Sequence, residues 1–269
     1  MSTGAQRVAQ SDINVHPYLD HVGPIPFAHR GGASEAPENT MSAFADAVDL
    51  GYTYLETDVH ATCDGVLVAF HDDDLSRTCG QGGHIKDLSW EQLRGVKVHG
   101  GEPIPLLEDI LDAFPKAKIN IDCKTDTALQ PLIDVLARRG CLDRVCVGSF
   151  SDKRLVAIRR HFGPDLCTSM GPRQIAQLLF ASKTSPRYAR SLTNFVAQIP
   201  TRQTGLHLTS TRLLTMSQNL GIPVHVWTID DEQQMHELLN AGVDGIMTDK
   251  TRLLKDVFIQ RNIWPQQKK

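Results

Sequence analysis

From Ile25 onward, short runs of apolar and β-branched residues alternate with longer stretches whose apolar positions recur every three or four residues. The short runs fall at residues 26–29, 54–60, 118–123, 145–149, 166–169, 195–199, 223–228 and 245–248, and they predict eight strands. The stretch 39–51 shows the other period. Met41, Phe44, Ala45 and Val48 share one helical face there, and Gly51 stands where such a helix would stop. Similar patterns at 127–139, 151–162, 210–220 and 231–241 predict further helices. Strands that alternate with helices pair in parallel, so eight such units in 269 residues predict an α/β fold closed as a (β/α)8 TIM-type barrel. Residues 1–24 are polar and aperiodic, and are expected to form an N-terminal arm packed on a barrel domain of residues 25–269.

One connection departs from the alternation. Asp64-Gly65 lies between two β-rich runs and predicts a hairpin in place of a helix. Centred on 64 and 65, that hairpin sets Asp58 opposite His71. Residues 72–104 are rich in Asp and Gly and too irregular for a barrel unit, so they read as an insertion able to serve as a lid or specificity element. The segment 172–205 is also longer than a barrel unit needs. It mixes Leu178, Leu179, Phe180 and Tyr188 with Arg173, Lys183, Arg187 and Arg190, and reads either as a flap near the barrel mouth or as a helix packed outside it.

Charge narrows the partners. Lys and Arg total 28 against 31 Asp and Glu, a net −3, which leaves no electrostatic footprint for nucleic acid. An anionic substrate must then be met by local charges. No apolar run approaches the roughly 20 residues needed to span a bilayer, and no basic-then-apolar leader opens the chain. The six cysteines form no CxxC pair, so no disulfide framework is expected, and the chain reads as a soluble protein that is cytoplasmic or membrane-associated without a transmembrane segment. The first strand is not followed by GxGxxG, which argues against a dinucleotide.

In a barrel of this type the open mouth lies at the C-terminal strand ends, and the polar residues collect there. Glu56 and Asp58, two apart on one strand, point to the same face. Inward carboxylates repel unless separated, protonated or bridged by a cation, and Asp122 on the next strand adds a third. An all-oxygen set of Glu56, Asp58 and Asp122 suits Ca2+ or Mg2+; the alternative is a solvated acidic rim. His29 and His71 flank this cluster, and imidazole can exchange protons near neutral pH. Arg30 and Lys124 stand beside them, suited to charge on phosphate oxygens.

The run His29-Arg30-Gly31-Gly32, then Pro37-Glu38-Asn39-Thr40, resembles the opening signature of the glycerophosphodiester phosphodiesterases. Glu56-Thr57-Asp58, His71-Asp72 through Arg77-Thr78, Val226-Trp227-Thr228 and the stretch ending Thr248-Asp249 follow in that family's order. The resemblance covers about residues 25–255. It implies a TIM barrel, a divalent cation on Glu56, Asp58 and Asp122, and acid-base catalysis by His29 and His71 that releases glycerol 3-phosphate and an alcohol. It places Arg30 and Lys124 on the phosphate. Trp227 would stack on the glycerol or an acyl chain, with core packing as the equal alternative, and Asn39 is expected to cap the first helix. One departure stands out: Asp122-Cys123-Lys124 carries Asp where the family usually carries Glu, which is also similar to sphingomyelinase D enzymes. A lysophospholipase D acting on a substrate that keeps one acyl chain is the alternative enzyme. A barrel that binds a phosphodiester without turnover is the non-enzymatic one.

Overall fold

The structure is a computed structural model and describes residues 16–203 and 205–265. Strands β1 (Ile25–Ala28), β2 (Tyr54–Ala61), β3 (Lys118–Cys123), β4 (Val145–Gly148), β5 (Cys167–Thr168), β6 (Ala197–Pro200), β7 (Val224–Trp227) and β8 (Gly245–Thr248) form the sheet. Helices α1 (Met41–Asp49), α2 (Leu107–Ala113), α3 (Leu129–Arg139), α4 (Asp152–Phe162), α5 (Pro172–Lys183), α6 (Thr211–Leu220), α7 (Glu232–Ala241) and α8 (Thr251–Gln260) follow them one for one. The strands pair in parallel in the order β5-β4-β3-β2-β1-β8-β7-β6. The two ends of that series meet at a parallel bridge between Ser169 and Val196, where Met170 N donates to Val196 O at 2.8 Å. This is the ring of a (β/α)8 barrel.

Alternation along each strand sorts the side chains. Leu55, Val59, Ile119, Ile121, Val145 and Val147 point outward and pack on Phe44, Leu132, Leu136 and Ile158 of the helix layer. Inside, the lower end of the barrel is filled by Tyr18, Ile25, Phe27, Tyr54, Cys146, Cys167, Val196 and Met247. Tyr18 comes from the predicted arm, in a 3-10 turn at Pro17–Leu19. Tyr54 donates its hydroxyl to Tyr18 O at 2.6 Å, and the Lys118 ammonium donates to Pro17 O and Asp20 O, so this end is closed. The rest of the arm, residues 1–15, lies outside the described residues. Among the described residues no helix is long and apolar enough to cross a membrane.

The hairpin after β2 forms, but one residue out of the expected register. Its return strand, Leu67–Ala69, pairs Val59 with Ala69 and His60 with Val68. Three residues, not two, separate the closing pair Thr62 and Val66, and Gly65 takes φ +82° between them. A one-residue slip exchanges the two faces of a strand. Phe70, not His71, therefore meets Asp58, with Phe70 N donating to Asp58 O at 2.9 Å. Phe70 is thereby buried with Val68, Leu75, Ile85, Leu93, Val98 and Ile104, a small apolar cluster that organises residues 72–104. That segment holds the short helices Ser76–Cys79 and Trp90–Leu93 and a two-residue hairpin, Lys97–Val98 with Glu102–Pro103.

Candidate active site

Strand β1 ends at Ala28, and the chain turns sharply through a 3-10 turn at His29–Gly31 with Arg30 at φ +51°. Gly31 is required at this turn. At φ +85°, a Cβ there would stand 2.7 Å from Ala43 Cβ. The turn aims Arg30 N at Glu56 Oε2 (3.1 Å) and brings Arg30 Nη1 to Glu38 Oε1 (3.2 Å). Arg30 Nε lies 3.1 Å from Asp58 Oδ2, a distance that suggests a hydrogen bond, but it is not aligned for one, so the contact is ionic only.

Glu56 and Asp58 are both buried on the inner face of β2. Burial and the neighbouring Asp58 push the Glu56 carboxyl up to about 7. Burial also works against ionised Asp58, but Lys124 and Arg30 outweigh it and hold that carboxyl below the usual range. The Lys124 ammonium bridges Asp58 Oδ1 and Asp122 Oδ2 at 2.7 Å each. Despite burial, the two carboxylates hold its proton more firmly than usual.

Asn39 does not cap α1. Thr40 does, accepting from Ala43 N, while Asn39 at φ +55° turns inward. Its Nδ2 donates to Asp58 Oδ2 at 3.2 Å, and its Oδ1 accepts from Thr57 Oγ1 at 2.8 Å. It orients the acidic cluster.

Each histidine is tied to a carboxylate through Nδ1: His29 to Asp249 Oδ1 and His71 to Asp72 Oδ1, both at 2.6 Å. A carboxylate accepts and does not donate, so Nδ1 carries the hydrogen and Nε2 is left for the cavity. Nε2 of His29 lies 3.7 Å from Glu56 Oε2. Burial favours the neutral His29 ring, but Glu56 and Asp249 outweigh it and raise its pKa.

His29, Arg30, Glu56, Asp58, His71, Asp122, Lys124 and Trp227 all line one cavity of about 420 Å³ at the C-terminal strand ends. The expected site residues are thus brought together without exception. Across from the charged half, Phe150, Ile175, Leu179 and Leu206 form an apolar wall, and Trp227 packs edge-on against Phe150 with centroids 5.8 Å apart. Between the halves, Gln198 Nε2 donates to Asn120 Oδ1 at 2.8 Å on the cavity floor. Asp72, Asp249 and the orienting role of Asn39 were missed by sequence reasoning. The signals available were the adjacency of Asp72 to His71 and the position of Asp249 at the end of the last strand.

The residues fit a hard divalent cation by chemistry. Asp122 Oδ1 is buried with no hydrogen-bond partner among the described residues, and the carboxyl groups of Glu56, Asp58 and Asp122 all line the one cavity as oxygen donors. The ligand set is not preformed. Among the described residues no three ligating side chains already surround a common point, because the Lys124 ammonium bridges two of the three carboxylates.

The family model of the glycerophosphoryl diester phosphodiesterases matches residues 29–253. A Mycobacterium tuberculosis protein named "Probable glycerophosphodiester phosphodiesterase 2" is 38% identical over 251 residues, 92% of this chain and 95% of its own. A human lysophospholipase D is 27% identical over 85% of this chain and 84% of its own. The structure of an Oleispira antarctica phosphodiesterase, in complex with its product sn-glycerol-3-phosphate, shares the fold with a TM-score of 0.72, at 22% identity over 88% of this chain and 97% of that one. By the family match and by its likeness to the mycobacterial relative, the chain belongs to the glycerophosphoryl diester phosphodiesterase family and is an enzyme of that class.

Proposed function

We propose that the cavity hydrolyses glycerophosphodiesters to glycerol 3-phosphate and the head-group alcohol, with His29 and His71 as the acid-base pair. One observation carries the reading: two histidines enter the same cavity with Nδ1 anchored by a carboxylate and Nε2 free to exchange a proton. The glycerol hydroxyl beside the phosphodiester loses its proton to one Nε2 as its oxygen bonds to phosphorus. The bond from phosphorus to the head-group oxygen breaks, and that oxygen takes a proton from the other imidazole. Water then opens the cyclic phosphate with the two histidines in exchanged roles. Arg30 and Lys124 line the cavity beside the histidines and meet the phosphoryl oxygens, whose charge grows during transfer. Glu56, Asp58 and Asp122 would hold a divalent cation, Ca2+ or Mg2+, which supplies further positive charge to the phosphate when bound.

The apolar wall supports a second reading, a lysophospholipase D, in which a retained acyl chain lies along Phe150, Ile175, Leu179 and Leu206. The human relative of that name points the same way. Either activity belongs to lipid and glycerol metabolism, and the free cysteines suit a cytoplasmic enzyme. The two readings separate on products. Glycerol 3-phosphate from glycerophosphocholine supports the first, and turnover of lysophosphatidylcholine alone, giving lysophosphatidic acid, supports the second.

A further inference from the structure

Residues 72–104 carry one side chain that reaches back to the cavity's supports without lining the cavity itself. Its root is firmly held. Asp74 accepts from Ser76 N at 2.8 Å and from Gly83 N at 3.2 Å, and Leu75 is fully buried in the segment's own apolar cluster. Thr78 is buried too, with its carbonyl accepting from His99 N at 2.6 Å. Arg77 lies between these anchors, and its side chain extends half-exposed toward the loops after β1 and the hairpin.

The guanidinium makes three short contacts. Nη1 and Nη2 donate to Glu38 Oε2 and Oε1 at 2.8 and 2.6 Å, and Nε donates to Asp72 Oδ2 at 2.5 Å. Each carboxylate uses its other capacity on a residue of the cavity: Glu38 on Arg30 Nη1 at 3.2 Å, and Asp72 on His71 Nδ1 at 2.6 Å. Two chains of contact thus leave one guanidinium, Arg77 to Asp72 to His71 and Arg77 to Glu38 to Arg30. The planar fork puts two parallel bonds on Glu38 while its Nε meets Asp72, three bonds in fixed directions that the point charge of a lysine ammonium does not reproduce.

We propose that Arg77 is a positioning residue that holds His71 and Arg30 in register with each other, so that residues 72–104 act as a strut behind those two residues. Arg77 is absent from the cavity lining, so it acts through Glu38 and Asp72 and not on the substrate. Both carboxyls are accordingly held below their ordinary range: burial opposes this, and Arg77 outweighs it. The proposal rests on the acid-base role given to His71, and its test includes a readout that needs no substrate.

The experiment compares Arg77→Lys and Arg77→Ala with wild type. It measures imidazole ¹⁵N shifts of the folded protein and glycerol 3-phosphate release from glycerophosphocholine, with and without added methylguanidinium. In wild type, His71 is expected as the single tautomer with hydrogen on Nδ1. In Arg77→Lys it should become a mixture, with turnover down about 100-fold, the scale that an ångström of misplacement costs. Methylguanidinium should restore part of the loss in Arg77→Ala, saturably, which a variant that merely unfolds would not show. If Arg77→Ala does not fold, Arg77→Lys decides alone. Wild-type shifts and turnover in Arg77→Lys overturn the proposal. A His71 tautomer shift in the variant, with no turnover by wild type, supports the strut and counts against the proposed function instead.

Discussion

Nδ1 of His29, at the end of the first barrel strand, lies 2.6 Å from Oδ1 of Asp249, at the end of the eighth, so one contact joins residues 220 apart in the chain. It exists because closing the barrel makes β1 and β8 neighbours, with Ala28 opposite Thr248. Asp249 is also fixed from its own side. Its N–H donates to Asp230 Oδ1 at 2.8 Å, and Thr248 Oγ1 donates to the same atom at 2.9 Å.

An amide in place of this carboxylate can present a donor to Nδ1 and turn the ring into the wrong tautomer. Asp249→Asn is therefore expected to lower kcat by roughly 10²- to 10⁴-fold with the fold retained. Steady-state turnover beside a circular dichroism spectrum checks it, and turnover within twofold of wild type would count against the assigned role of Asp249.

Asn39 satisfies two buried partners from a left-handed backbone position. Asn39→Ala leaves Asp58 and Thr57 each short of a partner and places alanine at φ +55°, so it is expected to cost about 1–3 kcal/mol of stability. Urea unfolding measures this. Loss of activity in the fraction that remains folded would show the Asp58 carboxylate no longer held in place.

His225 is fully buried against Phe27, with ring centroids 4.8 Å apart, and neither ring nitrogen has a hydrogen-bond partner among the described residues. Burial holds its pKa down at about 3, with a smaller contribution from His21. The folded state keeps this ring neutral while the unfolded chain takes a proton below about pH 6.5. The native state binds fewer protons there, so stability is full above that pH. It falls by up to about 1.4 kcal/mol per unit as the pH drops from 6.5 toward 3. Urea midpoints at pH 7.5, 6 and 5 should decline for wild type, and His225→Gln should flatten the decline.

Leu179 lies in the apolar wall of the cavity. Leu179→Gln is expected to leave turnover of glycerophosphocholine within about twofold. It should raise KM for lysophosphatidylcholine roughly 10-fold if that wall receives an acyl chain, in line with about 1.5–3 kcal/mol for burial of a leucine-sized apolar surface. Equal effects on both substrates would remove support for the lysophospholipase D reading.

The eight strands, five of the eight helices that follow them, and the gathering of the eight candidate site residues in one cavity were legible because each rests on local pattern: apolar runs, helical period, and polar residues placed just after strand ends. The hairpin register was not. It depends on whether Asp64-Gly65 closes as two residues or three, and the φ of Gly65 leaves no mark in the composition around it. Asn39 was misread for the same reason, since a cap and an inward-turned asparagine differ only in backbone angle. The carboxylates behind the histidines differ from each other. Asp72 adjoins His71 in sequence and could have been named, whereas Asp249 reaches His29 only through barrel closure.

The most direct measurement is release of glycerol 3-phosphate from glycerophosphocholine by wild type, His29→Ala and His71→Ala, each with Mg2+, with Ca2+ and with chelator. Wild type should turn over with a cation and stop with chelator, and either histidine variant should fall by about 10²- to 10⁴-fold while remaining folded. Near-normal, metal-supported turnover by His29→Ala or by His71→Ala would contradict the account.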